Sequence, residues 1–314
     1  VSNHEMPAVR MDGRNPPRSV PASPSQDRGS QVQSPGLPGP LPARPGGPPG
    51  QVPPLSRARG TCAPSADSDG IPPSGARREC PGSAALAVCL APLASGEGFR
   101  LGFLGDPGSG KSYAARIVAQ EYLRRSRGLV AVANSKGESG WTGEEYAEVA
   151  ELRDRPNTGR ALVFTPPATG DLDLEEIAVW QWSCATNHRC RSLVIWDEIA
   201  DAAVDGEWLD CEGRDDVSRI GRCFTHGRRL GMSELWGAQY AHQVPREAYE
   251  TTSCLCVWRQ AGNALRILRT RGYADPAVEA VIAALPGDDV PPADRGEFVL
   301  LRRGRPWDGC TYRF

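Results

Sequence analysis

Residues 99–125 read FRLGFLGDPGSGKSYAARIVAQEYLRR, and the order of residue types within them decides the fold. Leu101, Phe103 and Leu104 make a short apolar run suited to a buried strand, while Ala114, Ile117, Val118 and Tyr122 recur at helical spacing. Between them Gly105, Asp106, Pro107, Gly108, Ser109, Gly110, Lys111 and Ser112 fit GxxxxGK[ST]. Glycines in such a turn let successive backbone N–H groups face a phosphate, and the start of the next helix adds partial positive charge. Lys111 is placed to reach β- and γ-phosphates and Ser112 to ligate Mg²⁺, with Tyr113 closing the cradle. ATP and Mg²⁺ are therefore the expected cofactors. A glycine turn without a ligand is the plain alternative. The flanking strand and helix weigh against it, as does the lysine usage. The chain has two lysines, Lys111 and Lys136, against 34 arginines, as expected of a GC-rich genome, and one of the two fills the motif's lysine slot.

RSLVIWDEIAD (191–201) supplies a second element. Leu193 to Trp196 suits a buried parallel strand, and it ends on Asp197 and Glu198. An acid there can hold the metal shell and a second can polarise water. Asp197 is assigned to the metal and Glu198 to the water. Against this stands the reading of the pair as a helix N-cap with a surface acid.

LVAVAN (129–134) and ALVFTP (161–166) place strand-like runs between these two motifs. In 172–188, Leu174, Ile177, Trp180 and Cys184 mark a helix leading into the acidic strand. The expected class is α/β: a P-loop NTPase with a mainly parallel sheet of five or so strands, an additional strand between the two motifs, and helices on both faces. One helix later, ELWGAQYA (234–241) reads as a strand ending on Gln239. Strands in such sheets end at the ligand crevice, so Gln239 is expected beside the γ-phosphate as a sensor. A strand-end cap is the alternative.

GRRLGMSELWGAQYAHQVPREAYETTSCLCVWR (227–259) resembles a segment of the FtsK–HerA superfamily of ATPases. There, a helix ending in an R-x-x-G-like turn leads to a strand ending in Gln, then a proline-containing loop, a short helix and another strand. LPGDDVPPADRGEFVLLRRG (285–304) is similar to the closing β element of viral genome-packaging and HerA-like members. The likeness spans roughly 95–314. The usual T-Q is Ala238-Gln239 here, and the arginine that often follows is Tyr240. The resemblance implies a homo-oligomeric ring, usually a hexamer, that moves double-stranded DNA or assembles virions. It also implies an arginine finger given to the neighbouring subunit, with Arg228 and Arg229 as candidates and Arg222 and Arg246 in reserve. A genome-packaging ATPase in the host cytoplasm or on the virion, with capsid or portal-vertex proteins as further partners, is the leading expectation. A zonula-occludens-toxin-like phage assembly ATPase and a P-loop transferase acting on a small molecule stand as alternatives.

Composition divides the chain. Residues 1–94 hold 19 of the 29 prolines, a composition expected of a disordered arm, with an ATPase domain over 95–314. The opening Val1 is read as the mark of a fragment or a displaced start. Beyond residue 94 the count is 27 basic to 32 acidic residues, which argues against a strongly basic nucleic-acid binder. ARRECPGSAALAVCLAPLASG (76–96) has too few apolar residues to span a bilayer and is expected as an edge element, and no membrane segment is seen. Ten cysteines without regular spacing suit a reducing compartment. Cys184, His188, Cys190, Cys211, Cys223 and His226 lack paired C-x2-C spacing, so zinc is a minor reading. Arg266, Arg269 and Arg271, with Arg302, Arg303 and Arg305, are read equally as phosphate contacts or as scattered surface charge. Trp141 is expected in a mobile loop.

Overall fold

The computed structural model describes residues 78–147, 149, 159–166, 172–204, 207–208, 218–287, 290–291 and 296–314. The expected disordered arm lies outside the described residues as far as 77. Its boundary at 94 needs correction. Strand β1 (Arg78–Pro81), helix α1 (Gly82–Cys89) and a 3-10 turn at Ala91–Ser95 already belong to the fold. Ala85, Leu86, Cys89 and Leu93 are buried, so this stretch is the edge element its apolar residues suggested.

After it come β2 (Arg100–Leu104), α2 (Lys111–Ser126), β3 (Leu129–Ala133), a short β4 (Glu144–Tyr146) and β5 (Ala161–Phe164). Then follow α3 (Leu174–Asn187), β6 (Ser192–Trp196), a two-stranded β7 (Ala203–Val204) and β8 (Glu207–Trp208), α4 (Arg219–His226) and β9 (Met232–Ala238). The chain closes with α5 (Arg246–Thr251), β10 (Cys254–Val257), α6 (Asn263–Thr270), α7 (Pro276–Ala283), β11 (Glu297–Leu301) and β12 (Cys310–Arg313). The main sheet has ten strands in the order β1-β12-β11-β10-β2-β9-β6-β3-β5-β4.

Seven neighbouring strands, from β10 to β4, run parallel, and β3 and β5 are the insertion between the two motifs. This exceeds the five or so expected. β4 was missed because Glu144, Glu145 and Tyr146 form an exposed edge, whose residues show no apolar run. Trp141 lies in the loop before β4, as expected, and packs beneath the Arg116 guanidinium at 5.4 Å. The closing β element is the antiparallel pair β11–β12, joined to the parallel block through β10.

Both faces of the sheet are covered, because strand side chains alternate between them. Val130 and Val132 of β3 face the core with α1 and α2, while Leu129, Ala131 and Ala133 face the core with α3 to α7. Helix α2 presents Ala114, Ala115, Val118, Ala119 and Tyr122 to the sheet, and Arg124 and Arg125 in its last turn complement the helix dipole. Asp173 caps α3 by accepting from the Glu176 N–H, with Glu175 and Glu176 in its first turn. Among the described residues no helix is long and apolar enough to cross a membrane.

Candidate functional site

The glycine turn joins β2 to α2. Gly108 (φ 73°) and Gly110 (φ 102°) adopt the left-handed backbone that the turn requires. Gly105 is needed for space: a Cβ there would stand 2.7 Å from Ser109 Oγ and 2.8 Å from Trp258 Cβ. Helix α2 begins at Lys111, so its unpaired N–H groups open toward the turn. Lys111 Nζ donates to the carbonyls of Gly105 (2.6 Å) and Asp106 (2.9 Å). Burial pulls its pKa below the ordinary lysine value, with Glu198 opposing that pull. Asp106, Pro107 and Gly108 form the exposed lip of the turn, and Tyr113, 58% exposed, stands beside it on the first turn of α2.

Opposite the turn, β6 delivers Asp197 and Glu198. Ser112 Oγ lies 3.2 Å from Asp197 Oδ1 and 3.3 Å from Glu138 Oε2. Burial and then Glu138 push the Asp197 pKa up to about 6, against the Ser112 hydroxyl and Lys136. Glu198 occupies the N-cap position of a 3-10 turn at Ile199–Ala202, yet its side chain makes no capping bond. It is 7% exposed, so the alternative of a surface acid at an N-cap is excluded. Its Oε2 accepts from Lys136 Nζ at 2.8 Å, and its Oε1 is buried without a partner among the described residues.

Gln239 follows β9 directly. β9 lies between β2 and β6, with Leu104 opposite Ala238, and the Gly105 N–H donates to the Ala238 carbonyl at 3.2 Å. The glutamine therefore leaves the sheet beside the first glycine of the turn. The sheet brings together the turn, Lys111, Ser112, Asp197, Glu198 and Gln239 at one set of strand ends.

Arg228 and Arg229 are not brought to this site. They sit in the 3-10 turn Gly227–Leu230 before β9, at the opposite end of a seven-residue strand. That is about 20 Å away at ~3.3 Å per residue. Arg228 pairs with Glu97 at 2.9 Å, and Arg229 is exposed. Of the reserves, Arg246 pairs with Glu250 at 2.6 Å, and Arg222 is exposed on α4. The two basic clusters meet near the same far end, where the Gly304 N–H donates to the Gly272 carbonyl. There Arg269 is paired with Glu279, Arg271 lies over the Tyr249 ring, and Arg303 bonds the Glu250 carbonyl. Arg266 bonds Asn263 on its own helix, and Arg302 and Arg305 are exposed.

Cys184, Cys190 and Cys223 belong to the apolar core, and Cys211 lies outside the described residues. No grouping of three or more metal-type side chains occurs among the described residues. A hard cation held by one hydroxyl and one carboxylate needs no such cluster, since phosphate oxygens and water complete its shell. Ser112 and Asp197 are the residues that would hold it, with Glu138 beside them. The left-handed glycines, the buried Ser109 Oγ, unpartnered among the described residues, and the open α2 N-terminus fit a bound polyphosphate. A nucleotide held there, with its cation, would supply the cleavable phosphoanhydride.

The residues that sequence reading passed over are Asn134, Lys136, Glu138 and Gln260. The first three lie on the loop after β3, and Gln260 Nε2 reaches Asp106 Oδ1 at 3.4 Å. Lys136 carried one usable signal: it is the second of only two lysines.

No protein-family model and no curated protein matches the chain. Among solved structures, the chain is similar to the genome packaging NTPase of Sulfolobus turreted icosahedral virus 2 (12% identity, 66% of this chain and 92% of that one, TM-score 0.49). It is also similar to the pCW3 conjugation coupling protein TcpA (15%, 69% and 60%, 0.44). A third is VirB4 of Thermoanaerobacter pseudethanolicus (9%, 66% and 87%, 0.45).

Proposed function

We propose that this chain is an ATP-hydrolysing motor of the FtsK–HerA type that moves double-stranded DNA, with genome packaging as its role. The observation that carries the hydrolytic part is the convergence of Lys111, Ser112, Asp197, Glu198 and Gln239 at the ends of three adjacent strands. In this reading the glycine turn and Lys111 hold the phosphates, and Ser112 and Asp197 hold Mg²⁺. The unpartnered Glu198 Oε1 accepts a proton from the attacking water. Gln239 senses the γ-phosphate and passes the change to Ala241–Gln243 and α5, which follow it in the chain.

The motor part is supported by the order of elements after β9: a proline-containing loop, the short α5 and then β10, as the FtsK–HerA resemblance implies. The exposed Arg228 and Arg229 suit fingers given to a neighbouring subunit of a homo-oligomeric ring, with six subunits the expected number. Capsid or portal-vertex proteins are the partners that a packaging role adds.

The test is ATP turnover with and without double-stranded DNA, alongside the oligomeric state. DNA-stimulated turnover by a ring, lowered by about 10³-fold in Glu198→Gln while nucleotide still binds, is the expected result. Turnover indifferent to DNA in a monomer would point to a small-molecule transferase. Unchanged turnover in Glu198→Gln would remove the assignment of the base.

A further inference from the structure

We infer that Lys136 positions the Glu198 carboxylate, fixing one oxygen so that the other is presented to water. This rests on the reading of Glu198 as the residue that polarises water. Lys136 Nζ donates to Glu198 Oε2 at 2.8 Å, and the carboxylate is nearly buried while the lysine side chain is 38% exposed. One oxygen is therefore occupied, and the other, Oε1, is buried with no partner among the described residues. A buried polar atom left unpaired is costly, and such atoms recur where a ligand or water completes the set.

The lysine reaches the carboxylate because its loop is built to send it there. Asn134, 1% exposed at the end of β3, ties the loop at both ends of its side chain. Its Nδ2 donates to the Glu138 carbonyl at 2.9 Å, and its Oδ1 accepts from the Glu138 N–H at 2.9 Å. Gly137 takes φ 63°, which closes the turn, and its N–H donates to the Asn134 carbonyl at 3.0 Å. Ser135 Oγ bonds Asp201, on the 3-10 turn that Glu198 begins. β3 and β6 are adjacent, with Ala133 opposite Trp196, so loop and acid leave neighbouring strand ends together. A base held through its second oxygen by a fixed third group needs less reorganisation when it acts.

The arrangement predicts a division of effects that a merely structural lysine would not produce. Lys136→Met should lower kcat by about 10²-fold with KM little changed. Affinity for a non-hydrolysable ATP analogue and the melting temperature should stay as in the unaltered protein. Lys136→Arg, which keeps the cation, should recover much of the lost turnover. Lys136→Met combined with Glu198→Gln should be no slower than Glu198→Gln alone, because the lysine acts through the glutamate. Should the methionine variant fail to fold, Lys136→Gln takes its place in the cycle. Additive losses, or a fall in analogue affinity equal to the fall in kcat, would instead make Lys136 a direct phosphate ligand and overturn the inference. Turnover untouched in Lys136→Met overturns it alone. No hydrolysis by the unaltered protein overturns both it and the ATPase reading.

Discussion

The Ser112 hydroxyl stands 3.2 Å from Asp197 Oδ1, joining the first turn of α2 to the end of β6 across one intervening strand, β9. That pairing marks where a divalent cation would sit. Ser112→Ala and Asp197→Asn should each lower Mg²⁺-dependent ATP turnover by about 10² to 10³-fold. Titrating Mg²⁺ at fixed ATP checks this, and a turnover that ignores Mg²⁺ in the unaltered protein would contradict it.

Lys111 spends its hydrogen bonds on the carbonyls of Gly105 and Asp106, so it already points along the turn. Lys111→Ala should weaken ATP binding by about tenfold to a hundredfold, the worth of one charge-assisted contact. Calorimetric titration with an ATP analogue gives the number directly.

Gly102 lies opposite Trp236 in the β2–β9 register, and a Cβ at Gly102 would come within 2.3 Å of the indole. Gly102→Ala should destabilise the fold by about 1–3 kcal/mol through overpacking. Denaturant unfolding measures this, and an unchanged midpoint would show that the indole can shift aside.

Buried charge makes stability depend on pH. Glu234 is completely buried, and burial pushes its pKa up from the ordinary 4.5 to about 7, with Arg100 and the Trp196 N–H opposing. Between those values the folded protein holds a proton that the unfolded chain has released. Stability should therefore fall as pH rises from about 4.5 toward 7, at up to ~1.4 kcal/mol per pH unit, and level off above. Asp197, raised to about 6, adds a slope of the same sign. Unfolding free energies from pH 5 to 8 should show the decline, and Glu234→Gln should flatten it.

Arg228→Ala with Arg229→Ala should leave folding intact, since the Arg228–Glu97 pair is exposed and such pairs contribute about 0–1 kcal/mol. If these arginines serve a neighbour's site, mixing this variant with Lys111→Ala should restore part of the turnover that each lacks. No recovery would move the finger to Arg222 or Arg246.

Sequence spacing made the parallel block legible because β2, β3, β6 and β9 are apolar on both faces, and the glycine turn and Asp197-Glu198 each sit at the end of such a run. β4 escaped because its residues are polar and exposed. Lys136 and Glu138 escaped for another reason: their importance comes from strand order, which seats β3 beside β6, and no local pattern encodes that adjacency. Arg100 was equally hidden, a charged residue at the head of an apolar run that turns out to bond the carbonyls of Phe224, Met232 and Phe99. The arm boundary was set by proline content alone, although the apolar residues of 76–96 already marked that stretch as an edge element of the fold.

Among the described residues, strand β1 pairs only with β12, Arg78 lying opposite Cys310. On a ribosome, the edge of the sheet would thus wait for residues 232 positions further along before it could close. Until then the part of α1 that packs against β12 stays uncovered. Pairings so distant in sequence form slowly, and open strand edges invite association with other chains. Yield from a cell should therefore respond more to synthesis rate and chaperone supply than to the stability of the finished protein.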